Sequence, residues 1–196
     1  MTQRAVLNVG GGNKAIPIPP YYRGWQHLLL DIDASGQPDV LCDARELTGL
    51  ASAQFDAVYC SHNLEHYFEH DVAKVLAGFL HVLKPEGFAE IRVPDLALVM
   101  RTVAEKNLDI EDALYEAPAG AIRVRDVLYG LAAKIESSGV DFFAHKTGFS
   151  PVSLTRALNR AGFPEVVTLR PRPFEIAVAA FRATPDPQTV AVLQAL

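Results

Sequence analysis

The chain has 196 residues, of which 49% are hydrophobic and 21% charged, so its length and composition predict one globular domain and exclude a disordered chain. Its formal net charge of −5 argues against partners such as nucleic acid or anionic membrane surfaces. Two cysteines are too few for a disulfide framework, and neither a signal peptide nor a membrane-spanning apolar run is evident, so a cytoplasmic protein is expected.

The first sixty residues alternate apolar runs with turn residues. The run Ala5–Val9 predicts a buried strand that ends in three glycines, and a second run at 27–30 ends at Asp31. Further strand patterns follow at 39–41 and 55–60. Strands that succeed one another in this way are typical of βαβ units, and they predict an α/β fold with a doubly wound, mostly parallel sheet.

The next segment continues the alternation of strand and helix. Apolar residues at helical spacing over 72–83 predict an amphipathic helix. The proline and glycine at 84–87 are expected to end it, and a strand is predicted at 88–93.

The C-terminal region contains the best-marked helix. Ser150 as N-cap, Pro151 at the first helical position and Gly162 as C-terminal cap define its ends. Two strand patterns follow at 165–169 and 174–181. Their short connection predicts an antiparallel hairpin.

Residues 107–147 interrupt this rhythm with two helical patterns, at 108–116 and 121–136, divided by Pro118-Ala119-Gly120. We interpret the region as a helical insertion. Segments carried on a rigid α/β scaffold commonly supply specificity, so the insertion is predicted to cap a substrate.

The glycine turn and Asp31 are the first candidates for a binding site, because ligands of a parallel sheet bind outside the carboxyl ends of its strands. Glycines permit close backbone approach, and an acid after the second strand can accept hydrogen bonds from ribose hydroxyls. A tight turn with a solvated carboxylate is the simpler alternative. An NAD-dependent oxidoreductase is another, although the third glycine of its fingerprint is missing.

Further motifs give the chain a family resemblance. The segments are LNVGGGN, LLLDID, PDVLCDARELT, FDAVYCSHNLEHY, VLKPEGFAEIRVPDL and HKTGFSPVSLTRALNRAGF. Together they resemble the class I S-adenosylmethionine-dependent methyltransferases, and most of all a compact branch of predicted glycan and small-metabolite enzymes. The resemblance implies a Rossmann-like sheet of seven strands with an antiparallel last strand, in one domain over 1–183 followed by a tail at 184–196.

The resemblance also implies which residues bind the cofactor S-adenosylmethionine. Gly10 and Gly12 would pass under its amino acid part, and Asp31 would bind the ribose hydroxyls. Asp43 would accept a hydrogen bond from the adenine amino group, with Ala44 adding a backbone contact, and His62 would face the methionine portion. This list comprises Gly10, Gly12, Asp31, Asp43, Ala44 and His62.

The sequence also departs from the family pattern. Asn8 and Lys14 stand where the family usually has an acid and a further glycine. Three prolines within 16–20 prevent a first helix there, so a loop is expected. Tyr21, Tyr22 and Trp25 follow, and they either cover the cofactor or pack this loop onto the sheet.

Histidines are the candidates for catalysis. His62 and His66 are four residues apart and could share a metal ion, but no third ligand is evident nearby and no His-Glu-x-x-His motif occurs, so no metal is predicted. A hydroxyl acceptor must lose a proton. His145 and His66 are predicted as the base in preference to Glu65, which is weak at its ordinary pKa.

The predicted function is methyl transfer from S-adenosylmethionine to a small molecule or sugar, with O-methylation as the expected reaction. A catalytically silent relative that binds cofactor is the alternative from another functional class. The acceptor and the oligomeric state stay open at this point.

Overall fold

A computed structural model describes residues 3–117 and 120–195. The strands of this part are β1 (Ala5–Val9), β2 (Gln26–Asp31), β3 (Val40–Leu41), β4 (Phe55–Ser61), β5 (Leu83–Pro94), β6 (Ala113–Ala117), β7 (Gly120–Arg123), β8 (Glu165–Thr168) and β9 (Glu175–Phe181). The helices are α1 (Glu69–Val82), α2 (Leu96–Lys106), α3 (Val124–Tyr129), α4 (Ala132–Ser138), α5 (Pro151–Ala161) and α6 (Pro187–Gln194).

Seven strands form one sheet in the order β3-β2-β1-β4-β5-β9-β8. The pairings among the first five strands are parallel, whereas β9 is antiparallel to both β5 and β8. The predicted fold class, with its antiparallel last strand, is therefore confirmed. The carboxyl ends of β1, β2 and β4 meet at one edge of the sheet, where ligands of such folds bind.

The sheet has a covered core on each face. Successive side chains of a strand point to opposite faces. Leu7 of β1 belongs to the larger cluster, with Phe79 of α1 and the apolar side of α5. Val6 belongs to the other cluster, with Tyr22 from the loop before β2 and Leu193 of α6.

The C-terminal helix and hairpin follow the predictions. The Ser150 side chain accepts a hydrogen bond from the backbone N–H of Ser153, and Gly162 ends α5 with a φ of 106°. Strands β8 and β9 pair antiparallel. Local capping residues were sufficient to define this region.

Two boundaries near the middle of the chain differ from the predictions. Helix α1 ends at Val82 and β5 starts at Leu83, so the proline and glycine at 84–87 lie within the strand. The reason is sheet pairing, because Leu83 is already in register with Phe55 of β4. Helix α2, whose N-terminus is capped by the Asp95 side chain, was not predicted.

The helix predicted at 108–116 is wrong, because β6 and β7 form an antiparallel hairpin instead. A side-chain oxygen of Asp109 accepts from the backbone N–H of Glu111, a local bond that competes with helix formation. The hairpin also buries Leu114 in a cluster with Val99 of α2. This tertiary packing outweighs the helical spacing of the apolar residues.

The second helix of the insertion, predicted at 121–136, is present only in two short pieces, α3 and α4. Gly130 separates them at a φ of 87°, and a Cβ there would lie 2.3 Å from the carbonyl oxygen of Phe143. Close packing of the two backbone segments thus breaks the helix. Of the predicted divider, Pro118 and Ala119 lie outside the described residues.

The predicted tail at 184–196 contains helix α6. Asp186 accepts from the backbone N–H of Thr189 and so caps this helix, and Leu193 packs onto the sheet. Among the described residues, no helix is both long enough and apolar enough to cross a membrane.

Candidate functional site

A cavity of about 370 Å³ opens at the carboxyl ends of β1, β2 and β4. Five of the six residues predicted to bind the cofactor line it, namely Gly10, Gly12, Asp31, Asp43 and His62. Ala44 is instead buried beneath the surface, with 1% of its area exposed. The sequence thus identified five of the residues that line this cavity.

The glycine turn after β1 is packed too tightly for side chains. Gly10 and Gly12 have positive φ angles of 69° and 72°. A Cβ on Gly10 would lie 2.1 Å from Nδ2 of Asn63, and one on Gly11 would lie 2.2 Å from Nδ2 of Asn8. Asn8, where the family usually has an acid, therefore packs beneath the glycine turn.

Asp31 joins the glycine turn to the end of β2. Its Oδ2 accepts from the backbone N–H of Gly12 at 3.0 Å, and its Oδ1 accepts from the backbone N–H of Asp33 at 3.0 Å. A carboxylate oxygen can accept more than one hydrogen bond. Asp31 can therefore hold the turn and still bind a diol, and Asp33, which sequence reasoning missed, lines the same cavity.

Asp43 is held by an arginine that the sequence analysis also missed. Nε and Nη2 of Arg45 donate to its carboxylate, at distances down to 2.6 Å, and Nη1 reaches Asp71 at 3.3 Å. Burial raises the pKa of Asp43, but the hydrogen bonds from Arg45 outweigh it and hold that pKa below its ordinary value. The negative charge of Asp43 is thus largely neutralised within the protein.

Lys14, the second departure from the family pattern, is an exposed residue. Its ammonium group pairs with Asp39 at 2.6 Å on the protein surface.

His62 has an unusual backbone and a charged side chain. Its φ is 50°, its Nε2 lies 3.0 Å from Glu175 and its Nδ1 lies 3.5 Å from Glu65. Burial lowers the pKa of His62, but the two carboxylates outweigh that effect and raise it to about 9. The ring is therefore a cation at neutral pH.

A buried network of ion pairs holds Glu175, the partner of His62. Glu175 accepts from Nη1 of Arg92 at 2.8 Å, and Nε of Arg92 donates to Glu90 at 2.8 Å. Both carboxylates are at most 5% exposed. Charged groups at this depth require partners, so this network of ion pairs fixes β5, β9 and the turn after β4 relative to one another.

The aromatic loop before β2 is hydrogen-bonded to this network of ion pairs. The hydroxyls of Tyr21 and Tyr22 donate to Glu90 at 2.6 and 2.8 Å, and Tyr22 packs edge-on against Trp25. The described cavity wall includes none of the three aromatic residues. Of the two interpretations left open by the sequence, packing of the loop onto the sheet is the correct one.

A second cavity of about 500 Å³ lies between the sheet edge and the insertion. It shares His62, His66 and Phe143 with the first cavity. Tyr115 of β6 and Phe174, whose rings stack 5.4 Å apart, add aromatic surface. The remaining wall combines apolar and charged side chains, which include Ile122, Val127, Leu131, Lys134, Arg172 and Glu116.

Both predicted catalytic histidines line the second cavity, with ring centroids 5.0 Å apart. Nδ1 of His145 lies 2.8 Å from the carbonyl oxygen of Val127, so the proton is assigned to Nδ1 and a lone pair to Nε2. Burial lowers the pKa of His145. The two ring nitrogens of His66 each lie 3.1 Å from a carbonyl oxygen, one of Ala144 and one of His62.

Glu65 completes a group with these histidines. One ligand-type atom from each of Glu65, His66 and His145 lies within 4.8 Å of the others. The backbone N–H groups of Lys146 and Thr147 both donate to the carbonyl oxygen of Glu65, so the end of the insertion docks onto the turn after β4. The group includes His66 but not His62, so it differs from the pair of histidines considered in the sequence.

The first cavity fits the cofactor that the resemblance implies. Gly10 and Gly12 line it where the resemblance places the amino acid part of the cofactor, and Asp31 provides acceptors for hydroxyls. Oδ1 of Asn63, which also lines the cavity, is buried and has no partner within the described residues. Such an acceptor suits an ammonium group, because buried polar atoms are normally paired.

Comparison with known proteins gives one family match. The family model of the methyltransferase domain matches residues 8–91, from the end of β1 through β2, β3 and β4 to most of β5. No curated protein sequence matches the chain.

Solved structures share the whole fold. A SAM-dependent methyltransferase from Archaeoglobus fulgidus is 16% identical with a TM-score of 0.58, over 91% of this chain and 86% of that one. The 1,6-didemethyltoxoflavin-N1-methyltransferase of Burkholderia thailandensis, solved with S-adenosylhomocysteine, is 19% identical with a TM-score of 0.56, over 94% and 72%. An O-methyltransferase family protein from Burkholderia thailandensis is 14% identical with a TM-score of 0.54, over 93% and 52%. Identities this low establish a common fold and nothing about acceptors.

Proposed function

We propose that this chain is a class I S-adenosylmethionine-dependent methyltransferase, and that it methylates a hydroxyl group of a small molecule or sugar held in the second cavity. The observation that carries the proposal is the junction of the two cavities. His62, His66 and Phe143 line both, so a donor in the first cavity and an acceptor in the second would meet there.

The residues of the first cavity hold the methyl donor. When bound, S-adenosylmethionine supplies a methyl group on a sulfonium, which is already an activated leaving group. Gly10 and Gly12 pass under its amino acid part, Asp31 binds the ribose hydroxyls, and Asp43 contacts the adenine. His62 lies toward the acceptor side.

The second cavity selects and orients the acceptor. Tyr115 and Phe174 offer aromatic surface that suits a planar ring or the apolar face of a sugar. Arg172 and Glu116 offer polar contacts at the same wall. Alignment of donor and acceptor supplies much of the rate in such a transfer, so the insertion at 107–147 determines which acceptors react.

His145 or His66 removes the proton from the acceptor hydroxyl. Nε2 of His145 has a lone pair because Nδ1 donates to Val127, and both rings line the second cavity. The new oxygen–carbon bond forms as the carbon–sulfur bond breaks, and the hydroxyl proton passes to the histidine nitrogen. A neutral imidazole is an efficient acceptor for that proton near neutral pH.

The test is an acceptor screen with S-adenosylmethionine whose methyl group is isotopically labelled. Phenols, sugars and amines are incubated with the chain, and products are identified by mass spectrometry and fragmentation. The proposal predicts label on oxygen of a phenol or sugar. Label confined to nitrogen or carbon would contradict the O-methyl assignment while leaving the methyltransferase family intact.

A further inference from the structure

We propose that the acceptor carries a carboxylate on its ring and that Arg172 binds this carboxylate in the second cavity. The inference rests on the proposed function, because it takes the second cavity as the acceptor site. Arg172 lines that cavity together with Tyr115 and Phe174, whose rings stack 5.4 Å apart. A cation beside aromatic surface suits a ligand that combines a ring with a negative charge.

The guanidinium group of Arg172 is paired with no carboxylate among residues 3–117 and 120–195. Two acids that line the same cavity have cationic partners of their own. Asp126 pairs with Arg123 at 3.0 Å, and Glu175 pairs with Arg92 at 2.8 Å. The cavity wall therefore offers the charge of Arg172 to a ligand.

The main chain of Arg172 is fixed by its neighbours. Its backbone N–H donates to Oε1 of Glu175 at 3.1 Å, and its carbonyl oxygen accepts from the backbone N–H of Glu175 at 3.2 Å. Glu175 is itself buried, with 5% of its area exposed. Pro171 and Pro173 restrict the flanking dihedral angles further. Ligand binding thus costs Arg172 side-chain freedom but little main-chain freedom.

Phe174 has an uncommon backbone conformation two residues further on. Its φ is 58°, in the left-handed region that bulky residues rarely adopt. The carbonyl oxygen of Phe174 accepts from the backbone N–H of Asp95 at 2.9 Å, and its ring stacks on Tyr115. Strained conformations persist where neighbouring contacts impose them, and they cluster at ligand sites. The connection 171–174 is therefore held in a shape that presents both Arg172 and Phe174 to the cavity.

Lys134 also lines the second cavity, but its ammonium group already has a partner. Nζ of Lys134 lies 4.7 Å from the centroid of the Phe143 ring, a distance at which a cation is attracted to the ring face. Phe143 lines both cavities, so Lys134 lies close to the junction where donor and acceptor would meet. Arg172 is thus the better anchor for a group that does not react.

The guanidinium group selects the class of anion. Its planar set of donors matches the two oxygens of a carboxylate with parallel hydrogen bonds. A phosphate dianion carries more charge, but Glu116 and Glu175 line the same cavity and disfavour a second negative charge on the ligand. The acceptor class is therefore a ring with a hydroxyl and one carboxylate, as in a hydroxylated aromatic acid or a uronic acid.

The test is calorimetric titration of the full chain, in excess S-adenosylhomocysteine, with acids and their matched amides. The probes are 3,4-dihydroxybenzoate with 3,4-dihydroxybenzamide, and glucuronate with glucuronamide, so the two pairs distinguish an aromatic acid from a sugar acid. We expect one of the acids to bind about tenfold or more tightly than its amide, the usual worth of a charged hydrogen bond. A third probe, 4-hydroxyphenyl phosphate, should bind less tightly than that acid.

The variants assign the preference to one side chain. Arg172→Gln should remove the difference between acid and amide and leave the affinity for the amide unchanged. Arg172→Lys should recover only part of the difference, because an ammonium group cannot form two parallel hydrogen bonds in one plane. Lys134→Gln should keep the ratio of acid to amide affinity. Arg170→Gln is the matched control, since Arg170 is exposed in the same connection and lines neither cavity.

Several results would overturn the assignment. They are equal binding of acid and amide in the wild type, no binding of either acid, tighter binding of the phosphate, and an Arg172→Gln variant that weakens acid and amide alike. Methyl transfer to oxygen of a neutral acceptor, at a rate that Arg172→Gln does not change, would overturn the carboxylate and leave the proposed function standing. Transfer to nitrogen of an acid, with a preference that Arg172→Gln removes, would support the carboxylate and contradict the O-methyl assignment.

Discussion

Nε2 of His62 lies 3.0 Å from Oε2 of Glu175, and this contact joins the turn after β4 to the first residue of β9. The antiparallel strand that defines the sheet thus also anchors a residue shared by both cavities. Arg92 binds the other oxygen of Glu175 at 2.8 Å, so one buried carboxylate holds two cations from two different elements.

Glu175→Gln should lower the free energy of unfolding by about 3 kcal/mol or more at neutral pH, because it leaves buried cations short of a partner. Burial raises the pKa of Glu175, but His62, the Arg172 backbone and Arg92 hold it below its ordinary value of 4.5. A depressed pKa contributes stability that is present above the unfolded value and lost as pH falls through the folded one. The gap between wild type and variant in urea titrations should therefore close below about pH 4.5.

Glu165→Gln on the neighbouring strand β8 is the matched control, since Glu165 is exposed. Equal unfolding free energies for wild type and Glu175→Gln at neutral pH would rule out the anchoring role.

Asp31→Asn should weaken S-adenosylhomocysteine binding by about 1.5–3 kcal/mol, or roughly ten- to a hundredfold, if the carboxylate makes charged hydrogen bonds to the ribose. Asp43→Asn should weaken S-adenosylhomocysteine binding less than Asp31→Asn does, because Arg45 already neutralises Asp43. Calorimetry of both variants decides the order, with exposed Asp109→Asn as control. A folded Asp31→Asn with wild-type affinity would exclude the ribose role.

Replacement of 107–140 by a short linker should abolish acceptor binding and leave S-adenosylhomocysteine affinity largely intact. The hairpin and α3 pack in a cluster of their own with Val99 of α2, while Phe143 and Lys146, which line the first cavity, are retained. Removal of the hairpin exposes the apolar side of α2, so this variant also carries a polar residue in place of Val99. Loss of cooperative thermal unfolding would mean that the insertion belongs to the core.

His66→Gln and His145→Gln should keep S-adenosylhomocysteine affinity within about 1 kcal/mol, and the residue that removes the proton should lower turnover by roughly a hundredfold or more. Steady-state rates on the acceptor found by the screen measure this. Near-normal turnover and an unchanged pH profile in both variants would show that the protein works by positioning alone.

Local sequence was sufficient for the strands of the seven-stranded sheet, for α5 and for the residues at strand ends, such as Gly10 and Asp31. Periodicity and capping encode these features within a few residues. The β6–β7 hairpin was not predictable because its form depends on packing against α2. The grouping of Glu65 with His145 was missed for the same reason, since it requires the fold to bring together residues eighty positions apart.

The central claim is that the first cavity binds S-adenosylmethionine or its demethylated product. Calorimetric titration of the purified chain with S-adenosylhomocysteine and, separately, with NAD tests it most directly. The account predicts one-to-one binding of S-adenosylhomocysteine that Asp31→Asn weakens, and no comparable affinity for NAD. Preferential binding of NAD, or S-adenosylhomocysteine binding that ignores Asp31, Asp43 and His62 substitutions alike, would contradict it.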